Sequence, residues 1–280
     1  LSSTPPFQNA MAMDANRCGI PVVYGFCRGV GSVSYAAAVL LLGFVLERHA
    51  PTLLLPVFAA LTACGLIAMS GFRLPERPDE AADRPAEHRS IAAVLRSHPR
   101  FALTLLGCMF FFLTHTISNT YMNALVGKAG GTASAVGTSL AISAVLELPA
   151  MTLVSRLQKR FSPGFFLRFA AGAEVVKFLI FYLARSMPLI YLGHCMQFFQ
   201  FAVYAPATVY YVAAALPERD QLKGQSLIYV AGSGLGGALG NLLGGRLLDR
   251  SGIQAALLLG TVSAAASLLT FCLSTREDSR

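Results

Sequence analysis

Eight long apolar stretches divide this chain of 280 residues, and they constrain its fold more than any other feature. Each stretch is roughly 18 to 27 residues long, which is the length of a helix that crosses the hydrocarbon core of a bilayer. Short breaks that carry proline, glycine or charged residues separate them. The predicted spans are residues 20–46, 52–72, 101–125, 133–157, 164–184, 188–215, 225–248 and 253–273. The pattern predicts an all-α membrane protein, a helical bundle embedded in a lipid bilayer.

Composition agrees with this fold class and decides how the net charge is interpreted. Hydrophobic residues make up 55% of the chain and charged residues 13%, against roughly 25% charged residues in soluble domains. A formal charge of +8 would suggest a nucleic-acid partner in a soluble protein. Here most basic residues fall between the apolar stretches, so we expect no nucleic-acid partner.

The positions of lysine and arginine predict how the chain is oriented. The longest polar interval, residues 73–100, is interpreted as a central cytoplasmic linker. With the linker inside, fourteen basic residues lie on the cytoplasmic side and five on the opposite side. Cytoplasmic loops carry such an excess. The sequence therefore predicts a multi-pass protein of the cell (inner) membrane with a cytoplasmic C-terminus.

The linker also divides the chain into two unequal parts. Residues 1–72 are interpreted as the end of an N-terminal bundle, its helices five and six, and residues 101–280 as a C-terminal six-helix bundle. Two spans, a cytoplasmic linker and six spans are the plan of a twelve-helix transporter without its first four helices. We therefore expect missing N-terminal helices to be needed to complete the bundle.

Arg28 is a charged residue inside the first predicted span. It lies roughly 12 Å from the start of that span at the rise of an α-helix. A guanidinium there costs at least ~2.5 kcal/mol unless a partner or water receives it. Gly25, Gly29 and Gly31 surround it and allow neighbouring backbones to approach. We interpret Arg28 as a substrate-binding residue; an arginine that snorkels to the headgroups is the alternative.

Polar groups at helical spacing mark the third and fourth spans. His115, Asn119 and Asn123 repeat at i, i+4 and i+8, which places an imidazole and two amides on one helix face. They either bind the substrate or form a hydrogen-bond network between helices. Glu147, followed by Pro149, is a carboxylate inside the fourth span. It is a candidate proton-coupling residue, or else it pairs with a basic residue on a neighbouring helix.

The fifth and sixth spans hold the remaining candidates. Glu174 and Lys177 lie at i and i+3, so they either neutralise each other or form a proton and substrate site. The sixth span carries a polar seam of His194, Gln197, Gln200, Tyr204, Thr208 and Tyr211. We interpret the seam as the lining of a cavity, because amides and aromatic rings suit the hydroxyls and rings of sugars. His194, Gln197 and Gln200 are thus candidate substrate-binding residues together with Lys177, and Glu174 is a second candidate for proton coupling.

Other patterns indicate what the chain does not do. Four glycines each four residues apart, Gly232, Gly236, Gly240 and Gly244, predict a groove for close helix packing without a ligand role. No HExxH, GxSxG or phosphate-binding GxxxxGK[ST] motif occurs, and the six cysteines include no CxxC pair. The sequence therefore predicts a protein that is not an enzyme and that uses no metal and no cofactor.

These residues resemble the oligosaccharide/proton symporter branch of the major facilitator superfamily. The strongest similarity is YGFCRGVGS, residues 24–32, which looks like the aromatic-Gly-x-x-Arg-x-x-Gly pattern that opens the family's fifth helix. The family's arginine binds the sugar, so the resemblance gives Arg28 that role. The segments GGTASAVG, ELPAM, KGQSLIYVAGSGLGG and GGRLLDRSG are similar to turns and glycine-rich helices of the family. The resemblance covers helices five to twelve and implies an N-terminally truncated transporter.

An overlay on the family's ninth and tenth helices departs from the family pattern at the proton site. Lys177 falls on a functional arginine of the family and His194 falls on a lysine. Only these two positions keep the charge of the family's residue. Gln197 falls on a histidine, and Gln200 falls on the glutamate that carries the proton. An amide cannot titrate, so the resemblance leaves proton coupling to another group.

Together the patterns predict a secondary active transporter. It would move a small solute, a sugar or glycoside, in symport with protons by alternating access, with the C-terminal polar residues facing Arg28 across a midplane cavity. By elimination, the proton-coupling group is Glu147 or the pair of Glu174 and Lys177. An efflux or nucleoside carrier of the same fold, and a membrane scaffold without transport, are the alternatives.

Overall fold

The computed structural model describes residues 90–275 and, before them, residues 15, 18–23, 26–27, 29–35, 37–38, 52 and 54–71. The chain is helical throughout most of this part, and no β-strand occurs in it. The prediction of an all-α fold is confirmed.

The helices that follow residue 53 are described in chain order. They are α1 (Leu54–Ser70), α2 (Ile91–Ser97), α3 (Pro99–Thr120), α4 (Met122–Lys128), α5 (Ala133–Leu157), α6 (Pro163–Leu183), α7 (Met187–Cys195), α8 (Phe201–Ala215), α9 (Glu218–Tyr229), α10 (Gly237–Ser251) and α11 (Ile253–Ser274). A 3₁₀ segment, Met196–Phe198, joins α7 to α8, and a π segment, Val230–Gly236, joins α9 to α10.

Five helical runs in the described part of the chain are long and apolar enough to cross a bilayer. They are Pro99–Thr120, Ala135–Leu157, Met187–Ala215, Glu218–Ser251 and Ile253–Ser274. Helix α6 has a comparable length of 21 residues but contains Arg168, Glu174 and Lys177. These six runs coincide with the six spans predicted for the C-terminal part. The chain is therefore a multi-pass membrane protein.

Three predicted boundaries differ from the structure. Residues 91–97 of the predicted linker form α2, because the Ser90 hydroxyl accepts the Ala93 N–H at 3.2 Å and caps the helix. The predicted break at residues 217–223 is helical from Glu218, where two acidic residues in the first turn favour a helix start. The predicted span 101–125 is interrupted at Tyr121, between α3 and α4. Residues 72–89 of the linker region lie outside the described residues.

Helix α3 is the centre of the C-terminal bundle. It packs against α11, the π segment and α10. The glycine groove predicted from the sequence is confirmed where α3 meets the π segment and α10. A Cβ atom built on Gly236 would lie 2.3 Å from the carbonyl oxygen of Met109, and one on Gly240 would lie 2.6 Å from that of Leu113. Both positions therefore require glycine for the two backbones to approach.

Gly236→Ala is expected to lower the free energy of unfolding by about 1–3 kcal/mol, because its methyl group would overlap the Met109 backbone. Gly234 is a matched control in the same π segment, since the nearest atom to its Cβ position, the Tyr229 carbonyl oxygen, is 3.9 Å away. Gly234→Ala is expected to be neutral or stabilising by up to about 1 kcal/mol. Thermal unfolding of the two variants in detergent checks this. Equal stability of both variants would contradict a tight contact at Gly236.

Candidate functional site

The helical run of residues 187–215 is discontinuous where the polar seam begins. After α7 the chain tightens into the 3₁₀ segment, and Gln200 has non-helical backbone angles of φ −98° and ψ −93°. The N–H groups of Phe199 and Gln200 both donate to the Met196 carbonyl at 3.0 Å. In such a tight turn, side chains three residues apart point in the same direction. The turn therefore directs the Gln197 and Gln200 side chains toward α6.

Lys177 of α6 is the residue on which both amides converge. Its Nζ donates to Oε1 of Gln197 at 3.1 Å and to Oε1 of Gln200 at 3.5 Å. Lys177 is 1% exposed, Gln197 5% and Gln200 0%. The ring of Phe181 lies 5.8 Å from the ammonium group and closes one side. An ammonium group inside the bundle is thus held by two neutral amide oxygens.

Glu147 of α5 extends this network. Nε2 of Gln197 donates to Oε1 of Glu147 at 3.0 Å, so the Gln197 amide connects the Lys177 ammonium to a carboxylate. The Ser32 hydroxyl donates to the other Glu147 oxygen, Oε2. Ser32 lies in the helical segment 29–35, which belongs to the predicted N-terminal part. Glu147 therefore joins segment 29–35 to the turn after α7 through hydrogen bonds.

The backbone brings segment 29–35 close enough for this contact. A Cβ atom built on Gly29 would lie 2.7 Å from Cα of Leu148, the residue after Glu147. Gly29 thus lets segment 29–35 lie directly against α5, one turn from Ser32. Arg28, Tyr24 and Gly25, which carry the predicted sugar-binding motif, lie outside the described residues. The placement of Arg28 across the cavity stays a prediction.

Glu174 forms no hydrogen bond with Lys177, although the two groups lie close enough for their charges to interact, as their spacing suggested. Glu174 is 0% exposed, and neither of its carboxylate oxygens has a hydrogen-bond partner among the residues that the structure describes. Lys177, three residues further along α6, donates to the two glutamine side chains instead. Burial of a carboxylate without a partner is costly in a bundle interior. Glu174 is therefore an unexplained polar group next to the network.

His194 lies beside the same network but makes a separate contact. Its Nδ1 lies 3.1 Å from the Ser143 hydroxyl, and its ring centroid lies 5.1 Å from that of Phe181. The other ring nitrogen, Nε2, is buried without a hydrogen-bond partner in the described part of the chain. The Phe181 ring thus lies near both His194 and the Lys177 ammonium group.

The polar residues of α3 and α4 form a second group. Nε2 of His115 lies 2.9 Å from Nδ2 of Asn119, and the His115 ring stacks on Phe201 with centroids 4.4 Å apart and planes at 9°. Asn119 is exposed, and so is Asn123, which falls in α4 after the interruption at Tyr121. His115 and Asn119 therefore meet on α3 as their spacing predicts, whereas Asn123 lies beyond the interruption, so a single face with all three groups stays a prediction.

The rest of the predicted seam turns inward. Tyr204, Thr208 and Tyr211 are all buried. Tyr204 stacks on Phe111 with centroids 3.9 Å apart, and the Thr104 hydroxyl donates to Tyr211 Oη at 3.0 Å. Tyr204 and Tyr211 thus join α8 to α3 by stacking and hydrogen bonding, whereas the Thr208 hydroxyl donates to the Ala205 carbonyl of its own helix. Of the seam residues, Gln197 and Gln200 belong to the charged network, and His194 lies beside it.

Two partners in the site were not predicted from the sequence, although spacing contained a signal for both. Ser143 precedes Glu147 by four residues and lies on the same face of α5. Ser32 follows Arg28 by four residues in the sequence, the spacing at which two side chains of a predicted helix share a face. A search for hydroxyls one turn away from each charged residue would have found both.

The fold and the site together define a polytopic α-helical membrane protein with charged groups joined inside its bundle. The chain belongs to the MFS_1 like family, which matches residues 19–259. The prediction of a major facilitator-type helical bundle is thereby confirmed.

Two curated relatives align with most of the chain. A protein named maltose permease, from Geobacillus stearothermophilus, is 28% identical over 257 residues, which cover 91% of this chain and 64% of the relative. A protein named uncharacterized transporter YwbF, from Bacillus subtilis strain 168, is 22% identical over 258 residues, which cover 92% of this chain and 64% of the relative. The chain thus spans 64% of the length of each of these relatives.

Proposed function

We propose that this chain is part of a secondary active transporter that moves a sugar or glycoside together with protons across the cell (inner) membrane. The observation that carries the proposal is the hydrogen-bonded series of Ser32, Glu147, Gln197 and Lys177 inside a membrane bundle. Ionisable residues within membrane spans are costly and mark substrate pathways and proton relays. The name of the 28% identical relative, a maltose permease, supports a sugar as the first solute to test.

Glu147 is the proposed proton-coupling residue, and its contacts support that role. Its side chain is half-buried, whereas that of Glu174 is 0% exposed, so Glu147 is the more accessible of the two carboxylates. A proton on Glu147 would remove the negative charge to which Ser32 and Gln197 donate. Charge-assisted hydrogen bonds are about twice as strong as neutral ones. Proton binding would therefore weaken the contact between segment 29–35 and α5, which couples it to movement between the two parts.

The proposed substrate site combines this network with the polar face of α3 and α4. Its residues are Arg28, His115, Asn119, Asn123, Lys177, His194, Gln197 and Gln200. Neutral amides offer one acceptor and two donors each, which suits the hydroxyl groups of a sugar. The stacked rings of His115 and Phe201 add a flat surface for the apolar face of a pyranose. A substrate hydroxyl that reaches Lys177 would replace an amide oxygen of Gln197 or Gln200.

Glu174 supports a carrier over a membrane scaffold without transport. A scaffold is stabilised when each buried charge has a partner, because an unpaired one costs several kcal/mol. Glu174 has no hydrogen-bond partner among the described residues. The positive charge that interacts with it, Lys177, donates its hydrogen bonds to Gln197 and Gln200 instead. We therefore assign Glu174 as the second candidate for proton coupling.

An uptake panel tests the proposed substrate class. Cells that express the complete reading frame would be given radiolabelled maltose, with unlabelled glycosides, a nucleoside and an amphipathic cation as competitors. We expect maltose uptake to exceed that of control cells. Of the unlabelled competitors, only the glycosides are expected to inhibit it. Inhibition only by the nucleoside or the cation would favour the nucleoside or efflux carrier. Absence of any saturable uptake, with normal protein levels in the membrane, would contradict the proposal.

A further inference from the structure

A cavity lies at the end of the bundle where α3 and α6 begin and where α8 and α11 end. Its volume is about 650 Å³, which is within the range of roughly 300–1,000 Å³ for ligand-binding pockets. The polar residues that line it are Ser97, His98, Arg100, Ser162, Tyr211 and Ser274. None of the proposed substrate-binding or proton-coupling residues that the structure describes lines it. The cavity is therefore a separate feature of the fold.

The cavity is lined by a positive charge and, in the described part of the chain, by no carboxylate. The charge belongs to Arg100, in the first turn of α3. Further basic residues lie at the same end of the bundle; they are Arg96, Arg156, Lys159, Arg160 and Arg168. The acidic residues that the structure describes at this end are Glu218 and Asp220, in the first turn of α9. An excess of one charge around a cleft attracts the opposite charge, so this end of the bundle favours an anion.

Two of the lining side chains have hydrogen-bonding capacity left for a ligand. The Ser162 hydroxyl caps α6 by accepting the Phe165 N–H at 3.2 Å, and its own proton has no acceptor among the described residues. The imidazole of His98, at the junction of α2 and α3, does not cap α3 with its side chain. With Arg100, the cavity thus has three kinds of donor, a hydroxyl, an imidazole N–H and a guanidinium. Donors to an oxyanion form the stronger, charge-assisted hydrogen bonds, so an oxyanion is the ligand that suits them.

The remaining lining of the cavity is apolar. It consists of Pro99, Phe101, Pro163, Ala214 and Ala215. Phe101 is 2% exposed and belongs to the hydrophobic core of the bundle. A bare inorganic ion would leave this apolar part in contact with water, whereas a ligand with hydrocarbon groups would cover it. The lining therefore suits an amphipathic molecule that carries an oxyanion.

The depth of the cavity in the bilayer indicates where such a molecule comes from. Helices α3 and α11 have 22 residues each, which corresponds to a length of about 33 Å. The hydrocarbon core of a bilayer is ~30 Å thick, so the ends of these helices lie at the level of the lipid headgroups. Basic pockets between membrane-spanning helices bind the headgroups of anionic lipids. The cavity thus has both the chemistry and the depth of a headgroup site.

We infer that this cavity binds the phosphate group of an anionic phospholipid. Arg100, His98 and Ser162 donate to the phosphate, and the apolar lining contacts the glycerol backbone and the first methylene groups. The bound lipid joins the α2–α3 junction to the start of α6. A soluble phosphate compound shares the phosphate chemistry and is distinguished by the test. The inference goes beyond the proposed transport function and does not depend on the solute.

Lipid binding by the protein purified from the complete reading frame tests this site. The protein in detergent would be titrated with phosphatidylglycerol, phosphatidylcholine or glycerol phosphate. Thermal unfolding would give a Kd for each, and native mass spectrometry would count the retained lipids. We expect phosphatidylglycerol to bind more tightly than phosphatidylcholine, and glycerol phosphate to have no effect where phosphatidylglycerol saturates. Equal binding of the two lipids would overturn the inference. Glycerol phosphate as effective as phosphatidylglycerol would overturn the lipid as the source and assign the site to a soluble phosphate compound.

Three variants test whether the lipid binds in the cavity. Arg100→Gln is expected to raise the Kd for phosphatidylglycerol about fivefold, through the loss of one cationic contact at the membrane surface. Arg96→Gln is the matched control, because it removes the same charge from an exposed residue that does not line the cavity. It is expected to change the Kd by less than about twofold, since salt screens a charge at a distance. Ala214→Phe fills the cavity without a change of charge and is expected to abolish retention of the lipid.

Two outcomes of the variant series would overturn the inference. The first is a Kd for phosphatidylglycerol that stays at the wild-type value in both Arg100→Gln and Ala214→Phe. The second is an equal increase in Arg96→Gln and Arg100→Gln, which would show attraction to the charged surface and no site in the cavity. Because binding is measured without a sugar, either outcome leaves the proposed transport function intact.

Discussion

Glu147→Gln is expected to reduce sugar-driven proton uptake to the level of cells without the protein. Glutamine keeps the shape of the side chain and its contacts with Ser32 and Gln197 can be re-formed, but it cannot bind or release a proton. Cells expressing the complete reading frame, suspended in a weakly buffered medium, would show this as the loss of the alkaline pH change that follows addition of maltose. An immunoblot of the membrane fraction checks that the variant is present at the wild-type level, so that the loss of the signal reflects lost activity and not lost protein.

Glu174→Gln is the matched comparison for this prediction. Glu174 is also a carboxylate inside the C-terminal bundle, but it has no exposed surface in the described conformation. We expect Glu174→Gln to retain part of the proton signal. Undiminished proton uptake in Glu147→Gln would remove Glu147 from the mechanism. Complete loss in Glu174→Gln alone would assign coupling to Glu174 and Lys177.

Lys177→Met is expected to have the second large effect. It leaves two buried amide oxygens without their donor and removes the positive charge closest to Glu174 along the helix. Removal of one partner from a buried charged network costs about 3–5 kcal/mol. We expect the free energy of unfolding to fall by about 3 kcal/mol, by the same reasoning, and maltose uptake to be lost. Thermal unfolding in detergent and radiolabelled uptake measure the two effects.

Two further variants separate charge from packing in this prediction. Lys128→Met removes a lysine that donates to the Phe181 and Tyr182 carbonyls at the end of α6, at 3.4 and 3.1 Å. It is expected to cost no more than about 1 kcal/mol and to leave uptake intact. The double variant Lys177→Met, Glu174→Gln is expected to regain part of the lost stability, because no unpaired carboxylate then remains next to residue 177. A double variant as unstable as Lys177→Met would show that Glu174 and Lys177 are not coupled.

The membrane-spanning helices could be predicted because a helix that crosses the bilayer is apolar over a fixed length. All six spans expected after the linker coincide with helices in the structure. The errors lie where hydropathy has no such signal. Helix α2 has only seven residues, and the start of α9 is polar enough to resemble a loop. Their caps, Ser90 and the acidic residues of the first turn of α9, were the better guide.

The interruptions within spans could not be predicted in the same way. Gln200 leaves helical geometry seven residues after the nearest glycine, Gly193, and the two glutamine side chains of the turn meet a lysine from another helix. Pro206, inside α8, removes one intrahelical hydrogen bond nearby and was the only local signal. The irregular backbone therefore depends on tertiary contacts, which the local sequence does not contain.

For the site, the sequence identified the residues better than their pairings. Lys177, Gln197 and Gln200 were all selected from helical spacing, and the structure brings them together. Spacing along α6 suggested Glu174 as the partner of Lys177, because i and i+3 side chains are neighbours on a helix. Contacts between helices decided otherwise, and these depend on how α6 and α8 are rotated against each other.

The measurement that tests the central proposal most directly is proton movement caused by sugar in the wild-type protein. Cells that express the complete reading frame would be de-energised, suspended without buffer, and given maltose while the external pH and radiolabelled uptake are recorded together. We predict that the medium becomes alkaline as maltose enters, with a fixed ratio of protons to sugar. Maltose entry without any pH change would contradict proton symport and, with it, the role assigned to Glu147.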